Sequence, residues 1–165
     1  MNALVVYDSQ YGNTERVAQA IAEALRAFGR ARTVRSGVAP LVELDEVDTL
    51  ILGCPTQGWR PTQTMRDFLE NTPAESLRRL AVVCFDTRLH KPRWLTGSAA
   101  AVLARKLKQA GVRSLMPPES FFVVATEGPL EPGELERAAA WARAIASEVA
   151  RAHPITSGGT PLAPA

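Results

Sequence analysis

Leu4-Val5-Val6-Tyr7-Asp8-Ser9-Gln10-Tyr11-Gly12-Asn13-Thr14-Glu15 decides the architecture of this chain. The stretch opens inside an aliphatic, β-branched run, Ala3–Tyr7, which reads as a strand. It closes at Thr14, where a helical period takes over with Val17, Ile21, Leu25 and Phe28 on one face. The spacing predicts a helix over Thr14–Phe28, ended by Gly29 as a C-terminal glycine. Between strand and helix lies a loop of hydroxyl and amide side chains around one glycine. Strand, polar loop and helix in immediate succession form one β-α unit.

The unit repeats along the chain. Strands are expected at Ala31–Arg35, Thr49–Cys54, Leu80–Phe85 and Ser120–Val124. Helices are expected at Gln63–Glu70 (Met65, Phe68 and Leu69 inward), Ser98–Ala110 (Val102, Leu103 and Leu107) and Glu131–Ala152. The last carries a stripe of Leu135, Ala138, Ala142, Ile145 and Val149. Continuous apolar strands alternating with helices predict an α/β protein: a five-stranded parallel sheet with helices on both faces. Right-handed crossovers and five strands fit the order 2-1-3-4-5. One domain is expected over residues 1–152. The Pro-, Gly-, Ser- and Thr-rich remainder, 153–165, is expected to be a disordered tail.

Composition narrows the function classes. A chain of 165 residues, 46% hydrophobic and 22% charged, has the balance of a soluble domain that buries a core without disulfides or metals. The net charge of +2 is small, and Lys and Arg are interspersed with Asp and Glu, so no nucleic-acid stripe is present. There is no apolar run long enough for a membrane span. The start, Met1–Asp8, has neither a basic region nor a signal-like apolar stretch, and the protein is expected to be cytoplasmic. Cys54 and Cys84 each end an apolar run and read as buried reduced thiols, a redox pair being the alternative. His90 and His153 are too few and too far apart for a metal site.

An open parallel sheet binds its ligand beyond the carboxyl ends of the strands, where the strand order reverses. Three loops leave those ends: Asp8–Thr14, Pro55–Thr62 and Asp86–Gly97. In the first, Ser9, Asn13 and Thr14 are candidate donors to phosphate oxygens, joined by backbone N–H groups and the helix dipole. The loop holds no Lys or Arg, so the anion would rest on neutral donors. A plain helix cap at Asn13 or Thr14 needs one polar residue, and this loop supplies several. The loop ends neither in Gly-Lys-Ser/Thr nor in Gly-x-Gly-x-x-Gly. Asp8 stands where some phosphate-processing enzymes place an acid, but no second acid or metal cluster accompanies it. No catalytic residue is assigned.

Tyr7-Asp8-Ser9-Gln10-Tyr11-Gly12-Asn13-Thr14-Glu15 resembles the FMN phosphate loop of flavodoxins and of the flavodoxin-like domains of diflavin reductases. Flavodoxins commonly carry Ser/Thr-x-Thr-Gly-x-Thr, and here Tyr11 replaces the middle threonine. Gly53-Cys54-Pro55-Thr56-Gln57-Gly58-Trp59, followed by Met65-Arg66-Asp67-Phe68-Leu69, is similar to the ring-bordering segment of flavodoxin-like quinone reductases. The resemblance spans Leu4 to Ala152 and implies a flavodoxin-like three-layer sandwich binding FMN. By it, Ser9, Gln10, Tyr11, Gly12, Asn13 and Thr14 hold the phosphate. Pro55, Thr56, Gln57, Gly58 and Trp59 line the flavin, with Trp59 stacking on the ring or standing as an exposed loop aromatic. In the basic third loop, Asp86, Thr87 and Arg88 are the candidates for further contacts. Arg88 would favour an anionic reduced ring, the alternative being a solvated loop without flavin contact.

These readings imply an FMN-dependent redox protein that passes electrons to or from a partner protein or a small acceptor. A carrier and a small NAD(P)H:quinone reductase both fit. The other class is a flavodoxin-fold binding or regulatory module without redox work. Typical flavodoxins are strongly acidic; this chain places Arg60, Arg66, Arg88, Lys91 and Arg93 near the expected flavin edge, so a carrier's partners are expected to present acidic surfaces. Monomer and homo-oligomer stay equally open.

Overall fold

β1 (Asn2–Tyr7) lies inside the sheet, buried from Ala3 onward. It is flanked by β2 (Arg30–Arg35) and β3 (Thr49–Pro55), followed outward by β4 (Ala81–Leu89) and β5 (Glu119–Val123). All four pairings are parallel and the order is β2-β1-β3-β4-β5, as the sequence pattern predicts. The computed structural model describes residues 1–39 and 44–152; the expected tail over 153–165 lies outside the described residues.

Helices cover both faces. On one, α1 (Asn13–Leu25) and α6 (Glu134–Ala152) pack Val17, Ile21, Leu25 and Ile145 against Val5, Ile51, Phe85 and Phe121. On the other lie α2 (Gln63–Asn71), α3 (Ala74–Arg78) and α5 (Ala99–Gln109), and Met65, Phe68, Leu77, Leu103 and Leu107 pack against Leu50, Leu52 and Val82, while the short α4 (Arg93–Thr96) before α5 buries no residue. Successive strand residues thus serve opposite cores. That is why β1, β3 and the start of β4 read as unbroken apolar runs. β2 is an edge strand whose exposed Arg30, Arg32 and Arg35 discourage further pairing.

Three local features depart from the sequence reading. α1 stops at Leu25, and Arg26–Phe28 forms a 3₁₀ turn that leaves Phe28 46% exposed rather than in the apolar stripe. Gly29 closes that turn as its C-cap, as expected, and is required for a second reason: a Cβ there would collide with the Met1 carbonyl oxygen. β4 runs on through Asp86, Thr87 and Arg88 to Leu89, so these three sit in a strand and not in a loop. Tertiary partners at the sheet's carboxyl edge, Ser98, Thr14 and Ser120 among them, satisfy their polar groups except Asp86 Oδ1, which is buried without a hydrogen-bond partner. Finally, α6 begins at Glu134 and not Glu131, because Leu130 bridges Val123 and Glu131 N donates to Phe122 O along the β5 edge.

Two side chains of α6 finish that edge. Glu134 Oε2 accepts from Phe122 N at 2.6 Å, and Arg137 Nη2 donates to Ser120 O. Arg137 also pairs with Glu119 at 2.7 Å and Glu134 at 2.6 Å, and its guanidinium lies 4.6 Å from the Phe121 ring centroid. The Glu134 bond, then burial and Glu119, act on its pKa, with a net rise. Removing the cation would leave Glu134, which is buried, with an uncompensated charge. Arg137→Ala is therefore expected to cost about 2 kcal/mol in urea unfolding, whereas Arg151→Ala, at an exposed pair, is expected to cost less than about 0.5 kcal/mol.

Candidate functional site

The carboxyl ends of β1, β3, β4 and β5 surround a cavity of about 280 Å³. Its lining includes every residue expected at the site except Gly12 and Asp86. The structure adds Leu89, Leu95, Thr96, Val123 and Thr126. Thr126 follows β5, one strand beyond the switch point on which the sequence argument concentrated. Its signal was its place after an apolar strand at the same edge of the sheet.

One end of the cavity is the N-terminus of α1. Gly12 is the N-cap residue at φ 82°, a left-handed conformation that suits glycine, and it offers no side chain to the first-turn amides. Ser9 Oγ is buried and has no hydrogen-bond partner. Thr14 Oγ1 lies 2.7 Å from Thr87 Oγ1, which joins the loop to β4. Asn13 lines the cavity, but its Nδ2 donates to Glu127 O at 3.0 Å, so part of its amide secures the loop after β5. Gln10 bonds Gln57, closing the first loop on the second. Arg35, which sequence reasoning passed over, donates from Nη2 to Ser9 O at 3.2 Å while pairing with Glu15 at 3.5 Å. Twenty-six positions separate Arg35 from Ser9, and only the β1–β2 pairing brings them together.

The second loop is a tight turn. Gln57 and Arg60 exchange both backbone hydrogen bonds at 3.0 Å, with Gly58 at φ 51° and Trp59 at φ 66° between them. A tryptophan rarely takes positive φ, and such strain gathers at sites of function. Trp59 is held there by its bridge to Gly97, where a Cβ would strike the Trp59 backbone and side chain. Its ring is 57% exposed at the cavity mouth.

β4 supplies the floor. Arg88 is buried; its Nε donates to Ser120 Oγ at 3.1 Å, and its Nη1 to Lys91 O at 2.7 Å and Thr96 Oγ1 at 3.1 Å. Burial lowers its pKa below the usual arginine value while Asp86 opposes the shift, and a guanidinium stays charged. Asp86 is fully buried and does not line the cavity, so the expected ligand contact is replaced by a structural role. Its Oδ2 accepts from Ser98 Oγ at 2.6 Å, Ala100 N at 3.0 Å and Thr56 Oγ1 at 3.1 Å. Its Oδ1 lies 4.0 Å from Arg88 Nε.

A five-stranded parallel sheet in this order, with its cavity at the β1 and β3 carboxyl ends, defines a flavodoxin-fold protein. The family model described as Flavodoxin matches residues 5–141, and the chain belongs to the flavodoxin family. That family binds FMN. Among solved structures, a flavodoxin from the domain Archaea is 22% identical, with a TM-score of 0.73 over 90% of this chain and 99% of that one. The flavodiiron core of Flv1 from Synechocystis sp. PCC6803 is 21% identical with a TM-score of 0.69; the match covers 93% of this chain but only 37% of that one. The flavodoxin, WrbA-like protein from Agrobacterium tumefaciens is 21% identical, with a TM-score of 0.68 over 91% and 98% of the two chains. At these identities the likeness is one of fold. Among the described residues, no helix is long and apolar enough to cross a membrane.

The two cysteines stand behind the site, in β3 and β4. Both are free and fully buried. Burial pushes the Cys54 thiol up to about 12 and raises that of Cys84 as well. A thiolate is the reactive form, so neither reacts while the protein is folded. Labelling with a thiol-specific disulfide reagent near pH 8 is expected to modify neither cysteine in the native protein and both in denaturant.

Proposed function

We propose that this protein carries electrons on FMN bound in the cavity, exchanging them with a partner protein or small acceptor in the cytoplasm. One observation carries the reading. The α1 N-terminus has no side-chain cap, and beside it Ser9 Oγ is buried without a partner. A buried hydroxyl without a partner is costly unless a ligand completes it. An uncapped helix N-terminus favours an anion. Together they fit the phosphate of FMN, and the aromatic face of Trp59 in the cavity lining suits a flat ring. FMN bound there would supply one- and two-electron redox chemistry. The unpaired thiols suit a reducing compartment.

The chain's own residues divide the work. Ser9, Gly12, Asn13 and Thr14 present donors to the phosphate, with Arg35 holding the loop from behind. Gln10 and Tyr11 form its outer wall. Pro55, Thr56, Gln57, Gly58 and Trp59, with Thr87 and Arg88, would hold the ring, since all line the cavity. The Arg88 cation would favour a ring that gains negative charge on reduction. Asp86 acts through the others as an anchor.

FMN titrated into the apoprotein is expected to lose fluorescence on binding. Ser9→Ala and Gly12→Val are expected to weaken binding by roughly tenfold or more, the worth of one charge-assisted hydrogen bond or of forcing a branched residue into left-handed backbone. His90→Ala, at a side chain outside the cavity lining, is expected to leave affinity within about twofold. No quenching in the wild type, or equal effects at all three positions, would overturn the assignment. Arg88→Leu is expected to lower the flavin reduction potential by an amount on the order of tens of millivolts. An unchanged potential in spectroelectrochemistry would place the cation away from the ring.

A further inference from the structure

Four large apolar side chains are exposed on the loops at the cavity mouth. Trp94 is 82% exposed on α4, and Trp59, exposed on the second loop, is joined to the end of α4 by the Trp59–Gly97 bridge. Tyr11 and Leu95, both exposed, continue the patch along the rim. Exposed aromatics gathered in one place mark a surface that another molecule covers.

Charge on the same loops is one-sided. Arg60, Lys91 and Arg93 are exposed, and among the described residues none of them takes part in an ion pair. The carboxylates around the cavity are otherwise engaged or distant from this side. Asp8 accepts from Ser9 N and Thr64 Oγ1, Asp86 is buried, and Glu131 bonds His90. Glu127 is exposed, but on the α1 side, where its carbonyl receives Asn13. None of Arg60, Lys91, Arg93 or Trp94 lines the cavity, so a cofactor inside does not use them.

We propose that the Trp59–Trp94 patch with its rim of Arg60, Lys91 and Arg93 is the docking face for an acidic redox protein, one that presents carboxylates around an apolar centre over its own redox group. The purpose of that docking rests on the flavin reading above. Unpaired cations steer an acidic partner and set its orientation, and the aromatics supply the contact that excludes water. A polyanion tracked by its phosphates needs an extended run of cations, whereas here only three cations, each next to or within three residues of an exposed tryptophan, lie on these two loops.

The test uses a plant-type ferredoxin as the acidic probe and cytochrome c as the basic control, with binding to the protein read by calorimetry both with and without added FMN. Ferredoxin is expected to bind at low salt and to weaken by roughly tenfold or more on raising ionic strength from about 20 to about 200 mM, while cytochrome c does not bind. Lys91→Glu combined with Arg93→Glu is expected to abolish ferredoxin binding and admit cytochrome c. Trp94→Ala is expected to weaken ferredoxin about tenfold with the salt dependence unchanged, since an apolar contact is unscreened. All variants are expected to bind FMN as the wild type does. Absence of ferredoxin binding at low salt, binding indifferent to the double charge reversal, or capture of duplex DNA or anionic vesicles in its place would overturn the proposal. The FMN titration is a separate reading. Failure there with ferredoxin still bound removes the flavin function and leaves the docking face, and the converse removes the docking face alone.

Discussion

The buried carboxylate of Asp86 is the interaction on which the site's frame depends. A charge at zero exposure in a central strand is costly unless donors surround it. Here Oδ2 collects Ser98 Oγ, Ala100 N and Thr56 Oγ1, while Thr56 Oγ1 in turn accepts from Ala99 N at 2.8 Å. The carboxylate therefore closes the N-terminus of α5 and fixes the root of the second loop in one step. The α5 dipole favours the same negative charge. With Arg88 Nε 4.0 Å from Oδ1, the cation in the cavity floor has an electrostatic partner from below.

The two helices that start at this edge of the sheet make an instructive contrast. α5 is capped by the protein itself: Ser98 Oγ accepts from Ala101 N at 3.2 Å and Asp86 takes Ala100 N. α1 starts from a glycine and has no side-chain cap. Both begin after β-strands with similar polar loops, so the difference lies in which side chains turn inward. One helix N-terminus is satisfied by a fixed internal anion and stiffens the frame. The other has no side-chain cap, and Ser9 Oγ in the loop before it is buried without a partner, which is what an external anion would complete on the proposed reading.

Much of this was legible from the sequence, for physical reasons. β1 and β3 are buried on both faces, so their apolar runs have no other reading. The first two loops announce themselves by composition, because a backbone that must wrap a ligand uses glycine and small polar residues. What escaped notice depends on contacts distant in sequence. Asp86, Thr87 and Arg88 look like the end of a strand because polar side chains in a central strand survive only with tertiary partners such as Ser98, Thr14 and Ser120. The short α3 and α4 span barely one helical turn each and leave no periodic signature. The bond from Arg35 to the Ser9 carbonyl arises from strand pairing alone.

The charge distribution follows from the same division between frame and surface. The end of the cavity proposed to hold the anion is built from neutral donors and a helix terminus, and the cation that bonds its loop, Arg35, is shared with Glu15 and a backbone carbonyl. Neutral donors select a phosphate by geometry with little long-range pull on other anions. The long-range positive charge is placed instead on the second and third loops, on the exposed Arg60, Lys91 and Arg93, which form no ion pair among the described residues. A small cofactor needs fit, and a large partner that must arrive oriented needs a field. On the proposed reading, separating the two would let the rim charges change without disturbing the phosphate cradle, so that one fold with one cofactor could serve partners of opposite charge.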